Sequence, residues 1–285
     1  MPPLSVPHLP VPARWARTLD DWPAQAPSQL AEGLDTARRS GRLDELRRAD
    51  EQYPDFTASL RSALAGSARS VTLSFSESRW TLAVVSAVGA LLGHVHHPVD
   101  PTLGGSVSEV PTGGADRYEQ NWHTDSTPWV TPNRWTILGL LRADPALHEP
   151  ATGVLPWDEV DASWPGAAEA LDVLRDHDVA WRLRYPELAQ LRAPVRGVVP
   201  RWFRPALDEV IDGGPPAVSL ACRSLERAVD GATRWYEAVV APSRVLVFDN
   251  YAALHRGPAI KEPSARTLLR FKAGGSPGRP VAESG

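Results

Sequence analysis

His123 and Asp125 stand two apart in the run Asn121-Trp122-His123-Thr124-Asp125, and His255 lies far downstream, closing Phe248-Asp249-Asn250-Tyr251-Ala252-Ala253-Leu254-His255. Residues i and i+2 of an extended segment point to one face, so on a strand this imidazole and this carboxylate can grip a single ion. A distant imidazole completes a 2-His-1-carboxylate set, the arrangement that holds one face of Fe(II) and leaves the opposite face for co-substrate and oxygen. Arg266 and Arg270 follow the distal histidine by 11 and 15 residues. A planar guanidinium offers a carboxylate two parallel charge-assisted hydrogen bonds, which lysine cannot match.

The chain that must position these groups has 285 residues and a net charge of −4. That length suits one β-rich domain with additions. Its arginines are scattered singly among apolar residues, so no electrostatic footprint for nucleic acid or an anionic membrane is present, and a small-molecule partner is expected. A homo-oligomer is compatible with the sequence. The single cysteine, Cys222, reads as a buried structural thiol. The N-terminus carries prolines at 2, 3, 7, 10 and 12 and no apolar leader, while the longest apolar stretch, residues 81–93, is too short to span a bilayer, so a cytoplasmic protein is expected. Lysine occurs only at 261 and 272; this reads as a mark of genome composition and is given no role.

Four segments are expected: a proline-rich lead (1–27), a helical N-terminal addition (28–69), a catalytic part (70–273) and a flexible Gly/Pro/Ser-rich tail (274–285). Helical spacing covers residues 28–48, broken at Gly41, and residues 56–65. A strand at 70–75 and an amphipathic helix at 79–92 precede a long loop, 94–114, whose Gly, Pro and Ser content suits a lid. Short apolar stretches then recur at 136–141, 153–155, 180–183, 195–199, 238–240, 244–248 and 267–271, separated by turn residues and interrupted by helices at 166–175 and 219–235. Regular βαβ alternation is missing. The pattern therefore predicts a mainly β fold with flanking helices, a double-stranded β-helix of the jelly-roll, cupin-like kind.

Residues 121–125, the following stretch 137–145, the run Glu149-Pro150-Ala151-Thr152, the segment 245–255 and the arginines at 266 and 270 together resemble the taurine dioxygenase family of Fe(II)/2-oxoglutarate-dependent oxygenases, over roughly residues 70–272. His-x-Asp alone is weak; with a distal histidine preceded by Val-Phe-Asp-Asn and followed by two spaced arginines it is specific. The resemblance implies that His123, Asp125 and His255 hold Fe(II). It also implies that 2-oxoglutarate and O2 are consumed with release of succinate and CO2. Arg266 and Thr152 would bind the distal carboxylate of 2-oxoglutarate, and Arg270 its other carboxylate or a substrate anion. Before Thr152, Glu149-Pro150 stands where the family usually has Gly-Gly.

In Gly93-His94-Val95-His96-His97-Pro98 the histidine before proline corresponds to a family substrate contact, which marks His97. The taurine enzymes carry tyrosine three residues later, where this chain has Asp100, a residue that repels a sulfonate and favours an amine. Arg204, or its neighbour Phe203, lies in a region that runs beside the substrate in the family. The expected reaction is hydroxylation of an unactivated carbon in a small polar metabolite, an amino acid or natural-product intermediate. Desaturation, cyclisation and hydroxylation of a protein residue use the same kind of site and stay open. So does a non-catalytic cupin-like protein that binds metal or metabolite, although such a scaffold has no need of a clamp for a 2-oxo acid. Halogenation is disfavoured, because Asp125 takes the position a halide would need.

Overall fold

The computed structural model describes residues 2–23, 26–52, 55–95, 107–111, 121–127, 129, 131–148, 150–181, 191–258, 260 and 264–274. In chain order its elements are β1 (Leu4–Ser5), β2 (His8–Pro10), α1 (Ala16–Asp20), α2 (Leu30–Arg39), α3 (Arg42–Gln52), α4 (Asp55–Ala65), β3 (Ser70–Ser74), α5 (Thr81–Leu92), β4 (His94–Val95), β5 (Val107–Pro111) and β6 (Trp135–Arg142). There follow β7 (Ala151–Pro156), α6 (Trp157–Ala162), α7 (Ala167–Asp176), β8 (Asp178–Trp181), β9 (Leu191–Pro194), α8 (Asp208–Gly213), α9 (Pro216–Asp230), β10 (Tyr236–Val239), β11 (Arg244–Asp249), β12 (Ala253–Arg256) and β13 (Thr267–Gly274).

Two sheets lie face to face. The larger runs β2-β3-β11-β6-β13-β4, with β5 also paired to β13; the smaller runs β1-β10-β7-β12. Among the described residues they stay open at their edges, giving the jelly-roll sandwich with flanking helices that the strand pattern predicts.

Strand alternation distributes the apolar residues over three cores. Val71, Leu73, Ile137, Val245, Val247, Leu269, Phe271 and Ala273 face outward from the larger sheet and pack with the N-terminal helices. Their inward neighbours Leu138, Leu246, Phe248 and Leu268 meet Val154, Ala238 and Ala253 of the smaller sheet. Leu155 and Leu254 join a third core with α6 to α9 and the β8-β9 ribbon. The central strands are thus apolar on both faces, which is why residues 244–248 read as a continuous apolar run rather than an alternation.

Helix α5 departs from the amphipathic reading. Eight of its twelve residues are buried, because it is pressed between the larger sheet and the helices α2 and α3. Glycines permit the approach: a Cβ on Gly89 would lie 2.3 Å from Phe271 Cε1, and one on Gly139 would lie 2.8 Å from Thr81 Cγ2.

Other boundaries also differ. The proline-rich lead supplies an edge strand to each sheet, β1 against β10 and β2 against β3, both parallel. Proline is tolerated at such edges, where a missing N–H breaks no ladder. Part of the expected loop 94–114 is β5, antiparallel to β13 with Ser108 opposite Arg270. The strand expected at 195–199 ends instead at Pro194, and those residues turn. Gly41, at φ +78°, separates α2 from α3 as the break there predicts. Residues 275–285, expected to be flexible, lie outside the described residues.

Candidate metal centre

The two histidines bring each other together through their own backbones. His123 N–H donates to the His255 carbonyl at 2.9 Å, and His255 N–H donates to the His123 carbonyl at 2.8 Å. This isolated antiparallel bridge sets the rings on one face with centroids 4.1 Å apart. His255 is on β12 opposite Val154 of β7, and its ring meets Phe248 of the larger sheet at 4.6 Å, so the site lies between the two sheets.

Asp125 reaches that face by a turn rather than by a strand. Residues 125–127 form a turn, followed through by Ser126 at φ +57°. Asn250 stands in for a strand partner: its Oδ1 accepts the Asp125 N–H at 2.7 Å, and its Nδ2 donates to the Asp125 carbonyl at 3.2 Å. Thr124 and Trp202 exchange backbone and side-chain bonds on the other side. Arg201 Nη1 donates to the carbonyls of Thr127 and Trp129 at 2.6 and 2.7 Å, fixing the end of the turn. Thr136 donates its hydroxyl to Asp125 Oδ2 at 2.8 Å while accepting from Asn133 Nδ2 at 2.9 Å.

His123 Nδ1 lies 2.8 Å from the Asn121 carbonyl. A carbonyl only accepts, so Nδ1 carries the proton and Nε2 is left with its lone pair. Burial, reinforced by His123, holds the His255 imidazole well below its ordinary value of 6.5, and the ring is neutral at physiological pH. Burial alone would raise the Asp125 carboxyl; the Arg270 guanidinium, with smaller contributions from His255, Lys272 and His123, outweighs it and keeps Asp125 below the usual carboxylate range. The ligand-type atoms of His123, Asp125 and His255 all lie within 4.8 Å of one another, and all three residues are buried.

Arg270 and Leu268 of β13 face this centre, opposite Leu138 and Leu140 of β6. Arg270 Nη1 donates to Asp125 Oδ1 at 3.0 Å, and its Nε donates to Ser108 Oγ at 3.3 Å. Arg266 continues the inward alternation just before β13; it is only 2% exposed, burial lowers its guanidinium to about 10, and its Nη2 is directed at the Val240 carbonyl. A small cavity, partly open to solvent, is lined by His123, His255, Thr152 and Arg270 together with Val110, Leu138, Leu268, Gly257 and Pro258. Thr152 Oγ1 is buried without a hydrogen-bond partner among the described residues.

The structure thus gathers His123, His255, Thr152 and Arg270 around one cavity, with Asp125 beside the two histidines, while the buried Arg266 is not among the lining residues. Arg204 is engaged elsewhere: its Nε donates to Glu226 at 2.5 Å and its Nη1 pairs with Asp208. Phe203, its neighbour, stands edge-on to His123 with centroids 6.3 Å apart. His97 and Asp100 lie outside the described residues. Three positioning residues escaped the sequence reading. Asn250 is legible only as the last residue of the Val-Phe-Asp-Asn motif, and Thr136 only as part of a strand. Lys272, set aside as compositional, is 5% exposed on the inward face of β13, with its ammonium 4.4 Å from the centre of the Trp129 ring.

A divalent first-row metal fits this donor set: two imidazoles, that of His123 oriented by the Asn121 carbonyl and that of His255 neutral, and one ionised carboxylate oxygen, on one side of a largely apolar cavity. The buried hydroxyl of Thr152 and the adjacent guanidinium suit a further anionic ligand.

Solved structures with this architecture include an asparagine oxygenase in complex with Fe(II), (2S,3S)-3-hydroxyasparagine and succinate, with TM-score 0.66 and 16% identity over 94% of each chain. The non-heme iron oxygenase OrfP with Fe and alpha-ketoglutaric acid gives TM-score 0.59 and 18% identity over 94% of each chain. The same protein with Fe and L-Arg gives 0.57 and 18% over 94% of this chain and 93% of that one. At this identity the likeness establishes a common fold. No family model matches the chain, and no curated protein matches it in sequence.

Proposed function

We propose that this protein is an Fe(II)- and 2-oxoglutarate-dependent oxygenase that hydroxylates an unactivated carbon of a free amino acid or a close derivative. The observation that carries this reading is the buried cluster of His123, Asp125 and His255, with ligand-type atoms within 4.8 Å, on a fold it shares with an asparagine oxygenase and with a non-heme iron oxygenase solved with L-Arg. His123, Asp125 and His255 would hold the iron. Arg266 and Thr152 would take the distal carboxylate of 2-oxoglutarate, Arg270 a second carboxylate, and Phe203 would border the substrate. Bound there, Fe(II) with 2-oxoglutarate and O2 supplies the oxidising power to convert C–H into C–OH, with succinate and CO2 as co-products.

The protein's own contribution is preparation. Asp125 is ionised and the His255 imidazole is neutral before any cation arrives, so binding need not expel protons from these two groups. The apolar lining from Val110, Leu138 and Leu268 limits water around the charges and strengthens the guanidinium contacts. Arg266, desolvated and always cationic at neutral pH, is costly to bury, and a carboxylate ligand offsets that cost.

The test is anaerobic addition of Fe(II) and then 2-oxoglutarate, following the weak visible absorption of an iron-chelated 2-oxo acid. Asp125→Ala and Arg266→Ala serve as controls, and succinate release is then measured across free L-amino acids and peptides. Absorption that weakens in both variants, with succinate release stimulated by an amino acid, is expected. Iron binding with neither signal would leave a metal-binding scaffold.

A further inference from the structure

We propose that Arg270 and the metal compete for a single oxygen of Asp125, so that a carboxylate ligand drawing Arg270 away tightens metal binding. This rests on the metal-centre reading above and adds a coupling device to it. The two oxygens of Asp125 are not equivalent. Oδ2 accepts the Thr136 hydroxyl at 2.8 Å. Oδ1 accepts Arg270 Nη1 at 3.0 Å and is the oxygen facing His255 Nε2, at 3.9 Å.

Oδ1, the oxygen turned toward His255, is the one a cation held by both imidazoles and Asp125 would use, which places it near the guanidinium that already neutralises that oxygen. Repulsion between a divalent ion and a monovalent one roughly 5 Å apart, even with an effective dielectric near 20, is enough to weaken binding by more than about tenfold. The same contact keeps Asp125 from standing as an uncompensated buried charge.

Arg270 also has somewhere to go. It lines the cavity, its side chain is 21% exposed, and its Nε donates to Ser108 Oγ at 3.3 Å across the β5-β13 ladder. Rotation of the long side chain, with β13 unmoved, would let the fork engage a carboxylate in the cavity. Once it does, Oδ1 is released to the cation. Linkage makes the effect reciprocal: the anion raises metal affinity by the factor by which the metal raises anion affinity.

The experiment is titration of the full chain with Mn(II) at pH 8, reading free Mn(II) by its electron paramagnetic resonance signal, with and without succinate. Succinate carries two carboxylates and no 2-oxo group, so it cannot chelate as a 2-oxo acid does. Without succinate, Arg270→Gln and Arg270→Met are expected to bind Mn(II) about tenfold more tightly than the unsubstituted protein, and Arg270→Lys to stay close to it. Saturating succinate is expected to tighten Mn(II) binding several-fold in the unsubstituted protein and to leave Arg270→Gln unchanged.

Equal or weaker binding by folded Arg270→Gln overturns the competition. If that variant and Arg270→Met fail to fold, the succinate arm decides, and no tightening in the unsubstituted protein overturns it. If the unsubstituted protein binds no Mn(II), or if His255→Ala binds it equally well, the metal-centre reading itself falls.

Discussion

Asn250 clasps Asp125 at both ends of its backbone, accepting its N–H at 2.7 Å and donating to its carbonyl at 3.2 Å, while a third bond to the Asn133 carbonyl at 2.9 Å ties the clasp to the segment leading into β6. Asp125 is therefore held in a turn by a side chain whose bonds to it go to its backbone, not to its carboxylate. Asn250→Ala removes the clasp and leaves His123, Asp125 and His255 unchanged. Metal affinity should fall about 10- to 100-fold, measured by Mn(II) or Co(II) titration, with the fold intact by circular dichroism. Unchanged affinity would show that Thr136 and Arg201 suffice to place Asp125.

Thr152→Val makes a pair of opposite expectations. The Thr152 hydroxyl is buried without a partner among the described residues, so replacing it by a methyl of similar shape should stabilise the ligand-free protein by about 1 kcal/mol. Affinity for 2-oxoglutarate should fall about fivefold to tenfold, because the ligand loses a hydrogen bond of similar worth. Thermal melting and 2-oxoglutarate titration read the two effects separately. A variant that is destabilised and binds 2-oxoglutarate as before would assign Thr152 to packing alone.

Arg266→Ala should raise the 2-oxoglutarate concentration needed for half-maximal turnover far more than that of the amino-acid substrate. Arg266→Lys should recover only part of the loss, since an ammonium cannot fork onto a carboxylate. Equal effects on both concentrations would contradict a clamp for the 2-oxo acid.

The buried imidazole of His255 has a stability consequence whose sign is definite. Its pKa in the folded chain lies well below the ordinary 6.5, so near and below that pH the unfolded chain binds a proton that the folded chain refuses. Stability contributed by this group is complete above about pH 6.5 and is lost as pH falls toward the folded value. Asp125, also held low, adds a second loss in the same direction, beginning nearer its ordinary 3.8. With chelator present, the melting temperature should drop between pH 7.5 and 5.5, and His255→Gln should flatten that drop.

Gly89→Ala tests how closely α5 must seat. The added methyl would lie 2.3 Å from the Phe271 ring, an overlap that costs about 2 kcal/mol if the helix is pushed outward. For a chain of this size that lowers the melting temperature by roughly 4–8 °C. Phe271 separates Arg270 from Lys272, so metal affinity should weaken as well.

Much of the site could be read from residue types because each group does chemistry that few others can do: His123, Asp125, His255 and the guanidinium of Arg270 do meet. What stayed hidden was set by tertiary context. The i, i+2 rule put His123 and Asp125 on one strand face, yet only His123 pairs, and a turn clasped by Asn250 brings the carboxylate round to the same side. Arg204 was placed beside the substrate by analogy, but Glu226 on α9 and Asp208 supply local anions that hold it. Strands with continuous apolar runs, such as β11, announced themselves. The lead strands β1 and β2 and the strand β5 did not, since edge strands containing proline carry no strong propensity and form only because a ready-made edge awaits them. Lys272 looked like an accident of composition until the pleat of β13 turned it inward.

That pleat sets a limit on how the chain can change. Along β13, Leu268, Arg270 and Lys272 look into the site, while Leu269, Phe271 and Ala273 look into the core beneath α5. Inserting or deleting one residue between them would exchange the two sets, driving two cations into the apolar layer and a phenyl ring onto Asp125. Variation in length must therefore fall outside this strand. Within it, descendants of this sequence can alter side chains but cannot alter the count.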